Sequence, residues 1–286
     1  MNAGVEGLPS FDELAQLPDD ELDVALGAAL VARDTYDALD VRALLGELEA
    51  LGAPLAAANA ASPSSRASLH DRVVAVSERF TGLGFHGNAD DYYDPKNSLL
   101  SDVLSSKVGI PITLSIVWCA IARTAGLTAR GIAFPGHFLV RVDGAGTTDA
   151  PIVVDPFGGG RILDDAAATA LLRRALGDGA QLHPTLFAPA SSRATLVRLL
   201  TNLESTLAKR GEHARAFIAV DRIVTLVPDS ARMLRERAAL ALRIGASEVA
   251  RADLLRVIEL EPQAPDIPDL EARLAKLVKP TKAMLH

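Results

Sequence analysis

The sequence predicts an α+β protein, and three observations carry that expectation. Helical periodicity runs through the N-terminal stretch. A single apolar helix beginning at Pro111 is followed by three short strand-like runs that end near Asp155. The final part repeats itself every 34 residues.

From Phe11 to about Leu55 apolar positions such as Leu22, Ala25, Leu26, Ala29 and Leu30 recur at three and four residues, the spacing of one helix face. The small and polar run AAANAASPSSRAS reads as a loop, and LHDRVVAVSERFTGLGF as another helix closed near Gly82 or Gly84. HGNADDYYDPKNS is crowded with turn formers and predicts an ordered surface loop. Asn97-Ser98 then leads into a short helix, LLSDVLSSKVG, expected to end at Gly109. Pro111 suits a first helical turn, where its missing N–H costs nothing, and the run that follows stops at Gly126. That helix is apolar nearly all round, from Ile112 and Leu114 to Trp118 and Ile121, so it should be central and buried. TARGIAF, HFLVRV and PIVVDPF read as strands parted by Pro135-Gly136 and by DGAGTTDA, which predicts a small antiparallel sheet against the helix. Beyond Leu163 the chain returns to helix, interrupted by LGDGAQLHPTLFAPASS.

The repeat is explicit. Gly211, Ala216, Val220, Ile223, Val224, Leu226 and Pro228 recur 34 residues later as Gly245, Ala250, Leu254, Val257, Ile258, Leu260 and Pro262. That period is the signature of tetratricopeptide helical hairpins, with RAFIAVDRIVTLVPDS and RADLLRVIELEPQAP as the second helices of successive units. The expected division is a first domain over 1–185 and a helical repeat domain over 190–286.

Composition narrows the function classes. A formal charge of -7 argues against a nucleic-acid binder, which needs a basic face. From Ala190 onward 16 Lys/Arg meet 12 Asp/Glu, a net of +4 that leaves -11 on the rest of the chain. One cysteine, Cys119, excludes an internal disulfide and a multi-thiolate zinc site. With no basic, apolar leader and no membrane-length apolar run, the expectation is a cytoplasmic protein off the membrane. No cofactor or metal is expected. His86, Asp90, Asp91 and Asp94 share one loop, yet their spacing matches no EF-hand.

The chemistry sits between Gly109 and Gly160. A nucleophile at a helix N-terminus, facing a histidine oriented by a carboxylate, is the layout of a papain-like thiol site. His137 follows Pro135-Gly136 and Asp155 ends the next strand, a gap long enough for a strand, a loop and a return strand. The two could serve catalysis, or form a rigid hydrogen-bonded pair in a partly buried corner. Thr113 and Ser115 lie near the helix start and could act as hydroxyl nucleophiles with His137 as base, or could bond the backbone as Ser and Thr readily do. Cys119 lies two helical turns, about 12 Å, beyond Pro111 and fits a packed core thiol.

DDYYDPKNSLLSDVL, GIPITLS, PGHFLVRV and VVDPFGGGRIL together resemble the SirB-type branch of the transglutaminase-like superfamily, in which that domain precedes tetratricopeptide repeats. The resemblance spans nearly the whole chain. It implies a transglutaminase-like core and a Cys-His-Asp triad whose second and third members are His137 and Asp155. The first member does not carry over. Where superfamily members have GxC at the helix start, this chain reads GIP, as the SirB-type branch does, and Pro111 offers no nucleophile.

Two functions follow. The first is a degenerate transglutaminase-like protein, a protein-binding or regulatory module that holds a polypeptide through its cleft and repeats; it is preferred because it accounts for Pro111. The second is an amide-bond hydrolase or transamidase in which His137 and Asp155 activate a hydroxyl or a water. Neither the substrate nor the oligomeric state follows from the sequence.

Overall fold

The computed structural model describes residues 7–61, 67–144 and 150–277. Most N-terminal helices start at a side chain that satisfies their first backbone N–H groups. In α1 (Phe11–Gln16), Ser10 accepts from Glu13 N–H while the Glu13 carboxylate returns to Ser10 N–H, a reciprocal capping box. Asp23 caps α2 (Val24–Arg33) and Asp40 caps α3 (Val41–Ala50). The run expected to be a loop instead forms most of α4 (Ala53–Ala61), because its alanines favour helix; 62–66 lie outside the described residues. A second capping box, Ser68 with Asp71, opens α5 (Leu69–Gly82).

The turn-rich loop is ordered around one buried amide. Asn97, 4% exposed, donates to the Asp91 carbonyl at 2.7 Å and accepts from Asn88 at 3.1 Å. It lies in a 3₁₀ turn, Pro95–Ser98, capped by Asp94. Neither Asn97 nor Ser98 caps the next helix, α6 (Leu100–Ser106), whose N-cap is Leu99. That helix also ends before Gly109, because Lys107 takes a left-handed conformation (φ 65°) and lays its ammonium over the Phe85 ring. Val108–Gly109 (β2) then pairs in parallel with His86–Gly87 (β1), a pair too short to show in sequence.

The long apolar run is α7 (Pro111–Thr124), buried along nearly its whole length, with Trp118 fully enclosed. It packs on α2, α3, α4 and α5 and on the sheet. The sheet is an antiparallel meander in the order β3-β4-β5-β6, formed by Thr128–Ile132, Leu139–Asp143, Ile152–Asp155 and Arg161–Ile162. β6 was not anticipated: the glycine run is a turn, and Arg161–Ile162 folds back onto β5 after it. DGAGTTDA, the expected turn between β4 and β5, lies mostly outside the described residues. A cluster of Ile132, Phe134, Leu139 and Leu172 joins the sheet to α8 (Asp165–Leu176), with Leu182, Leu186 and Phe187 packed against it.

Two compact units divide between Leu199 and Leu200, inside α9 (Ser192–Lys209). In the second unit, α10 (His213–Leu226), α11 (Ala231–Arg243), α12 (Ser247–Leu260) and α13 (Ile267–Leu277) follow at repeat spacing. Gly211 and Gly245 both turn with positive φ, 78° and 80°. Ala216, Val220 and Ile223 and their counterparts Ala250, Leu254 and Val257 are all buried, so the 34-residue match is a match of packing positions. Arg237 ties three helices, donating to buried Asp253 at 2.6 and 2.9 Å and to Asp221 at 2.6 Å. Among the described residues no helix is long and apolar enough to cross a membrane.

Candidate functional site

The site forms where the first turn of α7 meets the start of β4. Pro111 is the first residue of α7 and is buried, after Ile110 in extended conformation. Two residues on, the Thr113 hydroxyl accepts from Ile110 N–H at 3.2 Å, and its single proton faces the Asn97 carbonyl at 2.7 Å. It therefore ties the Asn97 loop to the helix start. Ser115, 1% exposed, donates to the Pro111 carbonyl at 2.8 Å and lies 3.5 Å from the Phe138 carbonyl. Both hydroxyls thus spend their proton on backbone oxygens.

His137 stands in the turn two residues before β4 rather than at the strand's first position, and its N–H closes that turn on the Phe134 carbonyl at 3.0 Å. Its Nε2 lies 2.8 Å from Asp155 Oδ1. Asp155, 1% exposed, does close β5. The same carboxylate accepts from Gly158 N–H at 3.0 Å and from Arg161 Nε and Nη2 at 3.2 and 3.1 Å. Desolvation pushes this carboxyl upward; the His137 hydrogen bond and charge, Gly158 N–H and Arg161 outweigh it and hold it below the ordinary carboxylate value. In the neutral imidazole an ionised Asp155 keeps the proton on Nε2, and Nδ1, with no hydrogen bond among the described residues, is then the acceptor. The arrangement can orient an imidazole and let Nδ1 accept a proton.

Cys119 is elsewhere. It sits further along α7 on the wall of a cavity, and burial pushes its thiol up to about 12, so it stays protonated at neutral pH.

Comparison with known proteins gives the family of the chain. Residues 42–201 match the transglutaminase-like superfamily, and residues 203–275 match the tetratricopeptide repeat. The chain belongs to the transglutaminase-like superfamily. It is 36% identical over 276 residues to the UPF0162 protein of Xylella fastidiosa strain 9a5c, covering 94% of this chain and 95% of that protein. It is 30% identical over 277 residues to a UPF0162 protein of Pseudomonas aeruginosa, covering 96% and 97%. These relatives and both matched regions agree with the SirB-type resemblance. F-box only protein 21 of Homo sapiens is 31% identical over 173 residues, which are 57% of this chain and 26% of that protein. No solved structure matches the chain.

Within this transglutaminase-like unit the structure adds partners that sequence reasoning missed. Arg161 and Gly158 complete the cradle of Asp155, and a Cβ at Gly158 would fall 2.5 Å from Asp155 Oδ2. An Asp three residues before a Gly in a turn, with an Arg across the hairpin, is the pattern that could have disclosed them. Phe157 meets the His137 ring edge-on at 5.8 Å between centroids and meets Tyr92 at 6.2 Å. Gly87 of β1 leaves space for this ring, since a Cβ there would fall 2.6 Å from it. In the acidic loop Asp94 caps the 3₁₀ turn and Asp91 N–H bonds Asn88; among the described residues no three His, Cys, Asp or Glu side chains gather as metal ligands.

Proposed function

We propose that this chain is a degenerate transglutaminase-like protein, lacking the superfamily's cysteine nucleophile, that acts as a protein-binding or regulatory module and holds a polypeptide through its cleft and helical repeats. One observation carries the reading: the helix position that would present the attacking sulfur is a buried proline, and the two hydroxyls that follow it are bound to backbone carbonyls. The tetratricopeptide match that follows the core in sequence supports the polypeptide partner. The test is turnover by the purified full chain, using a labelled primary amine with a glutamine-bearing protein and a fluorogenic amide. No turnover is expected. Turnover that disappears in His137→Ala would overturn the reading.

A second reading, an amide-bond hydrolase or transamidase, is favoured by the His137 geometry. With Nε2 held by an ionised Asp155, Nδ1 would take a proton from water, or from Ser115 or Thr113 once its backbone bond breaks. The same assay separates the two, since this reading requires rate loss in both His137→Ala and Asp155→Asn.

A further inference from the structure

A cavity of about 790 Å³ opens beside α7, within the roughly 300–1,000 Å³ typical of ligand sites, and neither His137 nor Asp155 lines it. Ser115, Ile116 and Cys119 form one wall, and residues 128–131 of β3 form another. β3 ends the sheet and has one neighbour, β4. The register shows which of its backbone groups face the cavity. Leu163 N–H donates to the Val153 carbonyl at 2.8 Å, so Val153 turns its polar groups toward β6, and Arg141, opposite it, turns toward β3. Arg141 faces Arg130; Ala129 and Gly131 therefore turn their N–H and C=O groups away from β4. The chain already uses one of them, for Ala190 N–H donates to the Gly131 carbonyl at 2.8 Å from a segment that also lines the cavity. Ala129 N–H, Ala129 C=O and Gly131 N–H have no bond among the described residues.

Charge selects what could fill this edge. The basic groups on the cavity wall are engaged, Arg123 with Asp23 at 3.3 Å and Arg130 with Asp143 at 2.9 Å. Asp19 is engaged too, accepting from the N–H groups of Ser192 and Arg193. Asp20 and Glu21 line the same cavity and are exposed, which leaves its rim acidic.

We propose that the free edge of β3 binds an extended polypeptide segment as an added strand, with a Lys or Arg of that segment meeting Asp20 and Glu21. This rests on the polypeptide-holding role above and gives it a site and a partner chemistry. Main-chain pairing would supply affinity and the acidic rim would supply selectivity.

The probe is a displayed random dodecapeptide library selected on the immobilised full chain, followed by synthesis of the enriched peptides and of counterparts N-methylated at alternate residues. Ala129→Pro removes an outward N–H that the β4 ladder does not use, a substitution an edge strand tolerates. The expected result is enrichment of Lys/Arg peptides, with affinity falling at least tenfold on N-methylation and in Ala129→Pro at unchanged circular dichroism. Charge reversal in Asp20→Lys/Glu21→Lys should transfer preference to acidic peptides. No enrichment, or binding that survives both N-methylation and Ala129→Pro, overturns the edge site. If Ala129→Pro fails to fold, the N-methylated peptides decide. Peptide binding that ignores the edge leaves the polypeptide-holding role standing, whereas amide turnover dependent on His137 removes the degenerate-enzyme reading and leaves the edge intact.

Discussion

Asp155→Asn isolates the charge at the centre of the site from its shape. The amide can keep an oxygen toward His137 Nε2 and Gly158 N–H, where Oδ1 stands at 2.8 and 3.0 Å. Its NH₂ must then face the Arg161 guanidinium, where Oδ2 now accepts at 3.1 and 3.2 Å, so donor meets donor. Arg161 is about half exposed and recovers part of that loss from water. Hydrogen bonds to charged groups contribute about 1.5–3 kcal/mol, so a destabilisation of that order is expected at pH 7. For a unit of this size each kcal/mol moves the melting point by roughly 2–4 °C, a drop of about 3–12 °C. The pH dependence has a definite sign. Because the folded carboxyl lies below its usual 3.8, its stabilisation is fully present above that value and is lost as pH falls through the lower folded value. The gap between wild type and variant, read from urea midpoints, should be flat from pH 8 to about pH 5 and close in acid. A gap absent at pH 7, or one that persists unchanged into acid, would refute the assignment of the carboxylate charge as the stabilising element.

Other outcomes follow from the same contacts. Gly158→Ala places a methyl 2.5 Å from Asp155 Oδ2, and overpacking of this kind costs about 1–3 kcal/mol, measurable as a lowered melting point. Thr113→Val, which removes the shorter of the two hydrogen bonds to the Asn97 carbonyl and leaves it only Ile110 N–H at 3.4 Å, should cost about 1–3 kcal/mol and open the 88–98 loop to limited proteolysis, with Thr113→Ser restoring protection. In the repeat unit, Arg237→Met strands Asp253, 2% exposed, at about 3–5 kcal/mol by denaturant unfolding, and pairing it with Asp253→Leu should recover much of the loss. Burial, with Glu236 beside it, pushes Glu204 up to about 7, so its charged form opposes folding at alkaline pH. Glu204→Gln should therefore melt above wild type at pH 8, with the gap closing as pH falls toward 5; an unchanged gap would show that the carboxyl does not titrate in that range.

What was legible in the sequence had a period or a stop signal. The α7 helix showed itself because Pro111 starts it and an all-round apolar run fills it; the repeat showed itself because Gly211 and Gly245 recur with the same buried faces. The order His137 then Asp155, at a hairpin's separation, made their pairing readable before any distance was known. What stayed hidden was set by contacts between distant residues. The β1–β2 pair is two residues long on each side and forms because Lys107 adopts a left-handed turn that no glycine announces. The α4 helix was obscured by Ser62-Pro63 downstream, although its alanines favour helix on their own. The engagement of Thr113 with Asn97, sixteen residues away, required the loop between them to fold back onto the helix start.

The pairing of His137 with Asp155 has a physical reason within the fold. Asp155 is the acceptor that holds the Pro156–Gly160 turn, bonding Gly158 N–H and bridging to Arg161 across β5 and β6, and His137 supplies one of the four hydrogen bonds it accepts. Removing the carboxylate would disturb the hairpin whether or not the imidazole has a task. The pair is thus a staple of the sheet and, under the function proposed above, also what is left of a triad, and the two roles separate at different atoms. The staple uses Nε2 and both carboxylate oxygens, so it reports as stability. Any chemistry or ligand recognition by the imidazole must use Nδ1, which the staple leaves open. His137→Gln tests this division, since its amide N–H can stand in for Nε2 toward Asp155 while its carbonyl oxygen can accept a hydrogen bond but cannot replace Nδ1 as a base. Near-native melting with lost turnover or lost peptide binding would assign a function to Nδ1, and near-native melting with both unchanged would assign the pair wholly to the fold.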